Sequence, residues 1–120
     1  MLGGEQSNYA EQLPRAELIG RLNDRLRKHG LGGRIIVTNG VSSLPQYDPV
    51  QLIRALAAYD SFDADNDPHG ERDFGDLELG GEGLLWKIDY YDRNLAFGSE
   101  DPADPDVTTR VLTVMLESEY

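Results

Sequence analysis

The sequence predicts an α+β fold: an antiparallel sheet of three to four strands with about three helices packed on it. Three observations predict it. Leu18, Ile19, Leu22 and Leu26 recur with a helical period ahead of Gly30. Leu84, Trp86, Ile88 and Tyr90 alternate with Leu85, Lys87, Asp89 and Tyr91, the pattern of a strand. Gly80-Gly81-Glu82-Gly83 joins that run to a second strand-like run, Phe74 to Leu79. At 120 residues the chain is near the usual size of one domain. The expected organisation is a flexible or peripheral N-terminus over residues 1–12 and a single α+β domain over 13–120.

The first helix is expected from about Pro14 to His29. Proline suits a first helical position, the cations Arg25, Arg27, Lys28 and His29 suit the C-terminal end, and Gly30 suits the stop. Arg34-Ile35-Ile36-Val37-Thr38 is a β-branched run bounded by Gly32-Gly33 and Asn39-Gly40, hence a short strand followed by a turn. Pro45 leaves little room for a long return strand. Asp48-Pro49 is an N-cap followed by proline at the first position of a helix, Val50 to Tyr59. Its inward residues are expected to be Leu52, Ile53, Leu56 and Tyr59 or Ala57. After an acidic loop, Phe74–Leu79 and Leu84–Tyr91 form an antiparallel hairpin. Leu95-Ala96-Phe97 is expected to be a third strand of that meander. Val107 to Glu119 carries strand-forming Val and Thr, but its length and its Asp-Pro lead-in favour a helix.

Charge divides the chain. Residues 1–59 hold seven Lys/Arg and five Asp/Glu, a net of +2. Residues 60–120 hold four Lys/Arg and seventeen Asp/Glu, a net of −13, which completes the total of −11. That balance argues against nucleic acid or anionic lipid as a direct ligand and favours a basic partner protein, a cation, or no partner at all. The chain has no cysteine, which excludes disulfides, thiolate catalysis and thiolate zinc sites. No apolar run approaches the roughly 18 residues of a membrane span, and no signal-peptide pattern opens the chain. A cytoplasmic protein is the reading. The acidic half is not a disordered tail, because Leu84, Leu85, Trp86, Ile88, Tyr90 and Tyr91 require burial.

The densest chemistry lies in Asp60 to Asp73. An EF-hand loop starting at Asp63 gives Asp63, Asp65 and Asp67 at positions 1, 3 and 5. Position 6 is then Pro68 in place of glycine, and position 12 is Phe74 in place of a bidentate glutamate. The loop is therefore no EF-hand, and an Asx-turn loop is the plainer reading. A divalent-cation site of another kind across Asp63–Asp73 is the alternative, with its metal unknown. His29 and His69 are the only imidazoles, and no Gly-x-Ser-x-Gly, P-loop or dinucleotide fingerprint is present. No catalytic residues are assigned, and no cofactor is implied; an enzyme of unrecognised type is the remaining alternative.

The stretch from about Leu22 to Tyr120 resembles a family of small, uncharacterised bacterial domains of unknown function. The resemblance is carried by Leu22-Asn23-Asp24-Arg25-Leu26-Arg27, by Asp65-Asn66-Asp67-Pro68-His69-Gly70-Glu71-Arg72-Asp73-Phe74-Gly75, by Trp86-Lys87-Ile88-Asp89-Tyr90-Tyr91-Asp92, and by Asp101-Pro102-Ala103-Asp104-Pro105 through Thr108-Thr109-Arg110-Val111-Leu112. Arg72 stands where a histidine is expected, which weakens any metal set there. Members often occur on plasmids and other mobile elements. That setting implies proteins that blunt host defence, of anti-restriction or anti-CRISPR type.

DNA carries about one charge per 1.7 Å of axis, so thirteen negative charges match roughly 22 Å of duplex, about 6–7 base pairs. A domain of this length has a radius of gyration of about 13–14 Å, so one face is large enough to present that charge. The expected function is therefore a non-enzymatic acidic binding protein, a DNA-mimic inhibitor of a nucleic-acid-binding defence complex. Its expected partner surface comprises Asp63, Asp65, Asp67, Glu71, Asp73, Asp76, Glu78 and Glu82, with Asp101, Asp104 and Asp106 as a second cluster. The expected partner is a basic protein surface, with no direct nucleic acid and no membrane. Oligomeric state is not legible in the pattern.

Overall fold

Helix α1, Arg15–His29, begins where the sequence places it, in a computed structural model that describes residues 13–120. The expected flexible or peripheral N-terminus, residues 1–12, lies outside the described residues. Pro14 sits just before the helix and its carbonyl accepts from Leu18 N–H at 3.1 Å. Gly30 ends α1 in the left-handed region, at φ 68°, and donates to Leu26 O at 2.8 Å. The buried stripe of α1 is Ile19, Gly20, Asn23, Leu26 and Arg27, so two polar residues share it with the apolar ones.

Strand β1, Gly33–Val37, is followed by a short helix α2, Asn39–Ser42. The Asn39-Gly40 turn is thus the first turn of a helix, capped by Thr38, whose hydroxyl accepts from Val41 N–H at 3.3 Å. Helix α3, Pro49–Ala58, has the expected cap: Asp48 Oδ1 accepts from Val50 N–H at 3.0 Å and Gln51 N–H at 3.4 Å. Leu52, Leu56 and Tyr59 are buried, but Ile53 is 46% exposed. The contact stripe of so short a helix is narrow, and Ile53 falls beside it.

Strands β2, Phe74–Leu79, and β3, Glu82–Tyr91, form the expected antiparallel hairpin. Gly80 and Gly81, at φ 58° and 88°, supply the two positive angles that a tight two-residue hairpin turn requires. Two expectations fail beyond it. Leu95–Phe97 is a turn, not a strand: Asp92 Oδ1 collects Asn94 and Ala96 N–H at 3.1 and 3.0 Å, and only a single bridge, Tyr91 to Gly98, follows. The expected helix at Val107–Glu119 is instead strand β4, Thr109–Leu116, with a 3-10 turn at Glu117–Glu119. Its Val and Thr content was the governing signal. β4 is a central strand, with Arg110, Val111, Leu112, Val114 and Met115 all buried. Burial on both faces blurs the two-residue alternation that marks a strand.

The sheet order is β1-β4-β3-β2. β2–β3 and β3–β4 are antiparallel, while β1 pairs with β4 in parallel. The architecture is therefore α+β with a mixed sheet rather than the fully antiparallel one expected. A parallel pair needs a crossover, and α2, α3 and the β2–β3 hairpin all intervene between β1 and β4. All three helices feed one core: Leu26, Val41, Leu52, Leu56 and Tyr59 pack on Leu84, Trp86, Ile88, Leu112 and Val114. By register the other face carries Arg34, Ile36, Val111, Thr113, Lys87, Asp89 and Asp76. Tyr59 and Phe62 meet the Trp86 ring edge-on at centroid distances of 5.4 and 6.1 Å. No described helix is long and apolar enough to cross a membrane.

Candidate acidic interface

Both acidic loops are fastened to α1, and arginines do most of the fastening. In the loop before β2, Arg72 Nε donates to Asp24 Oδ2 at 2.9 Å and its NH1 to Glu17 Oε2 at 3.2 Å. Burial opposes the Arg72 charge, but these two carboxylates outweigh it and hold its pKa above the ordinary value. The hydrogen bond from Arg72 in turn holds Glu17 below the usual carboxylate range. Arg72 adopts φ 54°, a left-handed conformation that is costly for a β-carbon-bearing residue. Its backbone N–H donates to Asp67 Oδ1 at 3.0 Å, so backbone and side chain together hold the bend.

A second tie is buried. Asn23 Nδ2 donates to the Glu71 carbonyl at 3.0 Å and to the Tyr90 hydroxyl at 2.8 Å. The Tyr90 hydroxyl in turn donates to Glu71 Oε1 at 2.9 Å. Burial, then the nearby carboxylates, push the Tyr90 phenol far above its ordinary value, so it stays protonated. Arg110 Nε donates to Asn23 Oδ1 at 3.0 Å, and its NH2 donates to Pro102 O in the second acidic loop. Arg15 pairs with Asp101 in that loop. Ser99 and Thr108 hydroxyls meet at 2.6 Å across the loop's base, and Thr108 also donates to Asp101 O at 2.8 Å.

The eleven carboxylates expected to form the surface divide by what they touch. Asp63 Oδ1 accepts from Asp65 and Asn66 N–H at 2.9 and 3.0 Å, an Asx turn. Asp67 and Glu71 are half-buried and bonded within the fold as described. Asp104 Oδ1 accepts from Asp106 N–H at 2.9 Å, and Asp101 Oδ1 from Ala103 N–H at 3.2 Å. Asp73 is half-buried, and burial, with Glu71 and Asp67 nearby, pushes its pKa up. Asp65, Asp76, Glu78, Glu82 and Asp106 are exposed. Asp76 and Glu78 lie on the sheet face away from the helices, whereas Glu82 pairs in register with Leu79 on the other face. The structure thus brings the two loops onto one helix and leaves Asp76 and Glu78 as a separate patch on the outer strand.

Among the described residues, no three His, Cys, Asp or Glu side chains are grouped as metal ligands are. His69 is exposed on the loop. Sequence reasoning missed Asn23, Arg27, Arg110 and Tyr90 as the polar anchors. Signals were present: Asn23 falls four residues after Ile19 and three before Leu26, on the buried stripe. Arg110 precedes Leu112 and Val114 at the two-residue spacing of one strand face.

A family model described as a protein of unknown function, DUF3768, matches residues 37–119. That match runs from the last residue of β1 through the 3-10 turn. It contains the two acidic loops and β2–β4, and leaves α1 and its Leu22–Arg27 segment outside. No curated protein and no solved structure matches the chain. With more than half of its length matched, the chain belongs to the DUF3768 family of proteins of unknown function.

Proposed function

We propose that this domain is a non-enzymatic, cytoplasmic acidic binding protein, a DNA mimic whose carboxylates occupy the Lys/Arg-lined nucleic-acid site of a host defence complex. One observation carries the reading: among the described residues, Asp101 is the only one of the eleven expected partner-binding carboxylates in an ion pair. The other ten form no ion pair with a described residue, and the loops that hold most of them are anchored to α1 by Arg15, Arg72, Arg110 and Asn23. Carboxylates on an ordered scaffold lose little entropy when they meet guanidinium groups, which favours such a partner over a disordered acidic tail.

The test is capture of a partner from host lysate on the immobilised protein, followed by challenge with duplex DNA and with rising salt. Mimicry predicts displacement by duplex and a steep loss of binding with salt, as multiple charge contacts require. A captured partner that excess duplex leaves in place, with little salt response, contradicts it.

A further inference from the structure

We propose that a pocket between the end of α1, the start of β1 and the start of β4 binds a small phosphorylated ligand. The pocket holds about 380 Å³ and is lined by Arg25, Arg34 and Arg93, with Gly32, Gly33 and Thr109 completing most of the wall. The three guanidiniums come from three places: α1, β1 and the turn after β3. Pro105 and Thr108 are the other lining residues, so the wall contains no carboxylate. Among the described residues none of the three arginines is ion-paired. Among the described residues, the one side-chain hydrogen bond made by any of them is long, Arg93 NH1 to Pro105 O at 3.5 Å.

This arrangement is unusual in a chain of net charge −11. Of the six described arginines outside the pocket, Arg15, Arg21, Arg27 and Arg72 have carboxylate partners, while Arg54 and Arg110 do not. Three cations facing one cavity repel one another, and an anion held between them removes that repulsion. A guanidinium presents a planar fork of donors that matches carboxylate and phosphate oxygens. One carboxylate satisfies one fork. A phosphate dianion offers three terminal oxygens in three directions and twice the charge, which suits forks arriving from three elements. Thr109, also in the wall, carries a hydroxyl able to act as a neutral donor. The volume lies within the lower part of the range for small-molecule pockets, about 300–1,000 Å³, leaving room for an organic group beyond the phosphate. The acidic surroundings weaken the approach of any anion, so affinity is expected to fall with ionic strength less steeply than for a uniformly basic surface.

The experiment is a nuclear magnetic resonance titration of the full chain at low ionic strength. The probes are inorganic phosphate and glucose 6-phosphate, with glucose and matched sodium chloride as controls. The proposal expects saturable shifts of the Gly32, Gly33 and Thr109 amides with both phosphates and none with glucose. Arg34→Gln and Arg93→Gln are each expected to weaken binding about tenfold, the loss of one charge-assisted contact. Lys28→Gln, outside the wall, leaves binding unchanged. Equal affinity for the two phosphates points to free phosphate as the ligand, and tighter glucose 6-phosphate to a phosphorylated organic molecule. Shifts that sodium chloride reproduces, or that persist in the Arg34→Gln/Arg93→Gln double variant, overturn the proposal. Arg34→Lys serves as the check on folding: it keeps the charge and loses the fork, so it binds between wild type and Arg34→Gln.

Discussion

Arg110 Nε donates to Asn23 Oδ1 at 3.0 Å, with Arg110 2% and Asn23 0% exposed, and this bond links the start of β4 to the middle of α1. The guanidinium is held by an amide oxygen, a backbone carbonyl and the face of Tyr90, 5.3 Å from the ring centroid, and among the described residues it has no ion pair with a carboxylate. Burial lowers its pKa from the ordinary value, yet arginine remains charged across the working range.

Asn23→Ala removes the acceptor of Arg110 and the donor to Tyr90 and to the Glu71 carbonyl at once. The expected cost is about 2–4 kcal/mol, because buried polar groups are left without partners. Urea denaturation measures it. Asn23→Leu fares no better despite its apolar character, since Arg110 then lacks the same acceptor. A loss below about 1 kcal/mol shows that the surrounding groups find other partners.

Arg27 caps α3 from outside. Its NH1 donates to Leu56 O and Tyr59 O, each at 2.8 Å, and its NH2 to Asp24 Oδ1 at 3.0 Å. The same guanidinium lies 5.4 Å from the Phe62 ring centroid. Arg27→Ala is expected to cost about 3–5 kcal/mol, the range for breaking a buried, hydrogen-bonded charge. Because α3 carbonyls are the acceptors, hydrogen exchange of the α3 amides is expected to accelerate more than that of the β3 amides.

Asp73 gives a pH signature. Its folded pKa is raised, so its ionised form is disfavoured in the fold relative to the unfolded chain. The penalty is absent below the ordinary aspartate pKa and fully present above the raised folded value. Asp73→Asn therefore raises the melting temperature near neutral pH, and its advantage shrinks as pH falls through the raised value. Glu17 has the opposite sign: its lowered pKa gives stability present above the ordinary glutamate value and lost as pH falls through the depressed one. Paired melting curves of the two Asn/Gln variants against pH separate these trends.

Gly75 is required by close approach rather than by its backbone angles. A Cβ there meets Tyr59 Cζ at 2.5 Å and Trp86 Nε1 at 2.6 Å. Gly75→Ala is expected to cost about 1–3 kcal/mol as Tyr59 and Trp86 are forced apart. An intensity or wavelength change in the fluorescence of the single tryptophan reports that displacement.

Much of the fold is legible in particular residues. The Asp48-Pro49 cap, the Gly30 stop and the Gly80-Gly81 turn act locally, so the chain alone reveals them. The alternation of Leu84, Trp86, Ile88 and Tyr90 is equally plain because β3 has one face on the helices. β4 was hidden because a strand buried on both faces carries apolar residues at consecutive positions. The parallel β1–β4 pairing joins residues 77 positions apart, such as Ile35 and Leu112, and no local signal encodes it. Among the acidic residues, charge density was visible, but which carboxylates bond inward was not. Asp67 and Glu71 look like their exposed neighbour Asp65 until Arg72 and Tyr90 are placed beside them.

The acidic-interface account is tested most directly by neutralising its exposed members. Asp65→Asn, Asp76→Asn, Glu78→Gln, Glu82→Gln and Asp106→Asn combine in one chain, leaving the internally bonded carboxylates intact. The measurement is the affinity for the captured partner as a function of salt, for the wild type and the combined variant. The account predicts an unchanged melting profile, weaker binding and a markedly shallower dependence of log affinity on log salt. A well-folded combined variant that binds as tightly as the wild type, with the same salt slope, contradicts it.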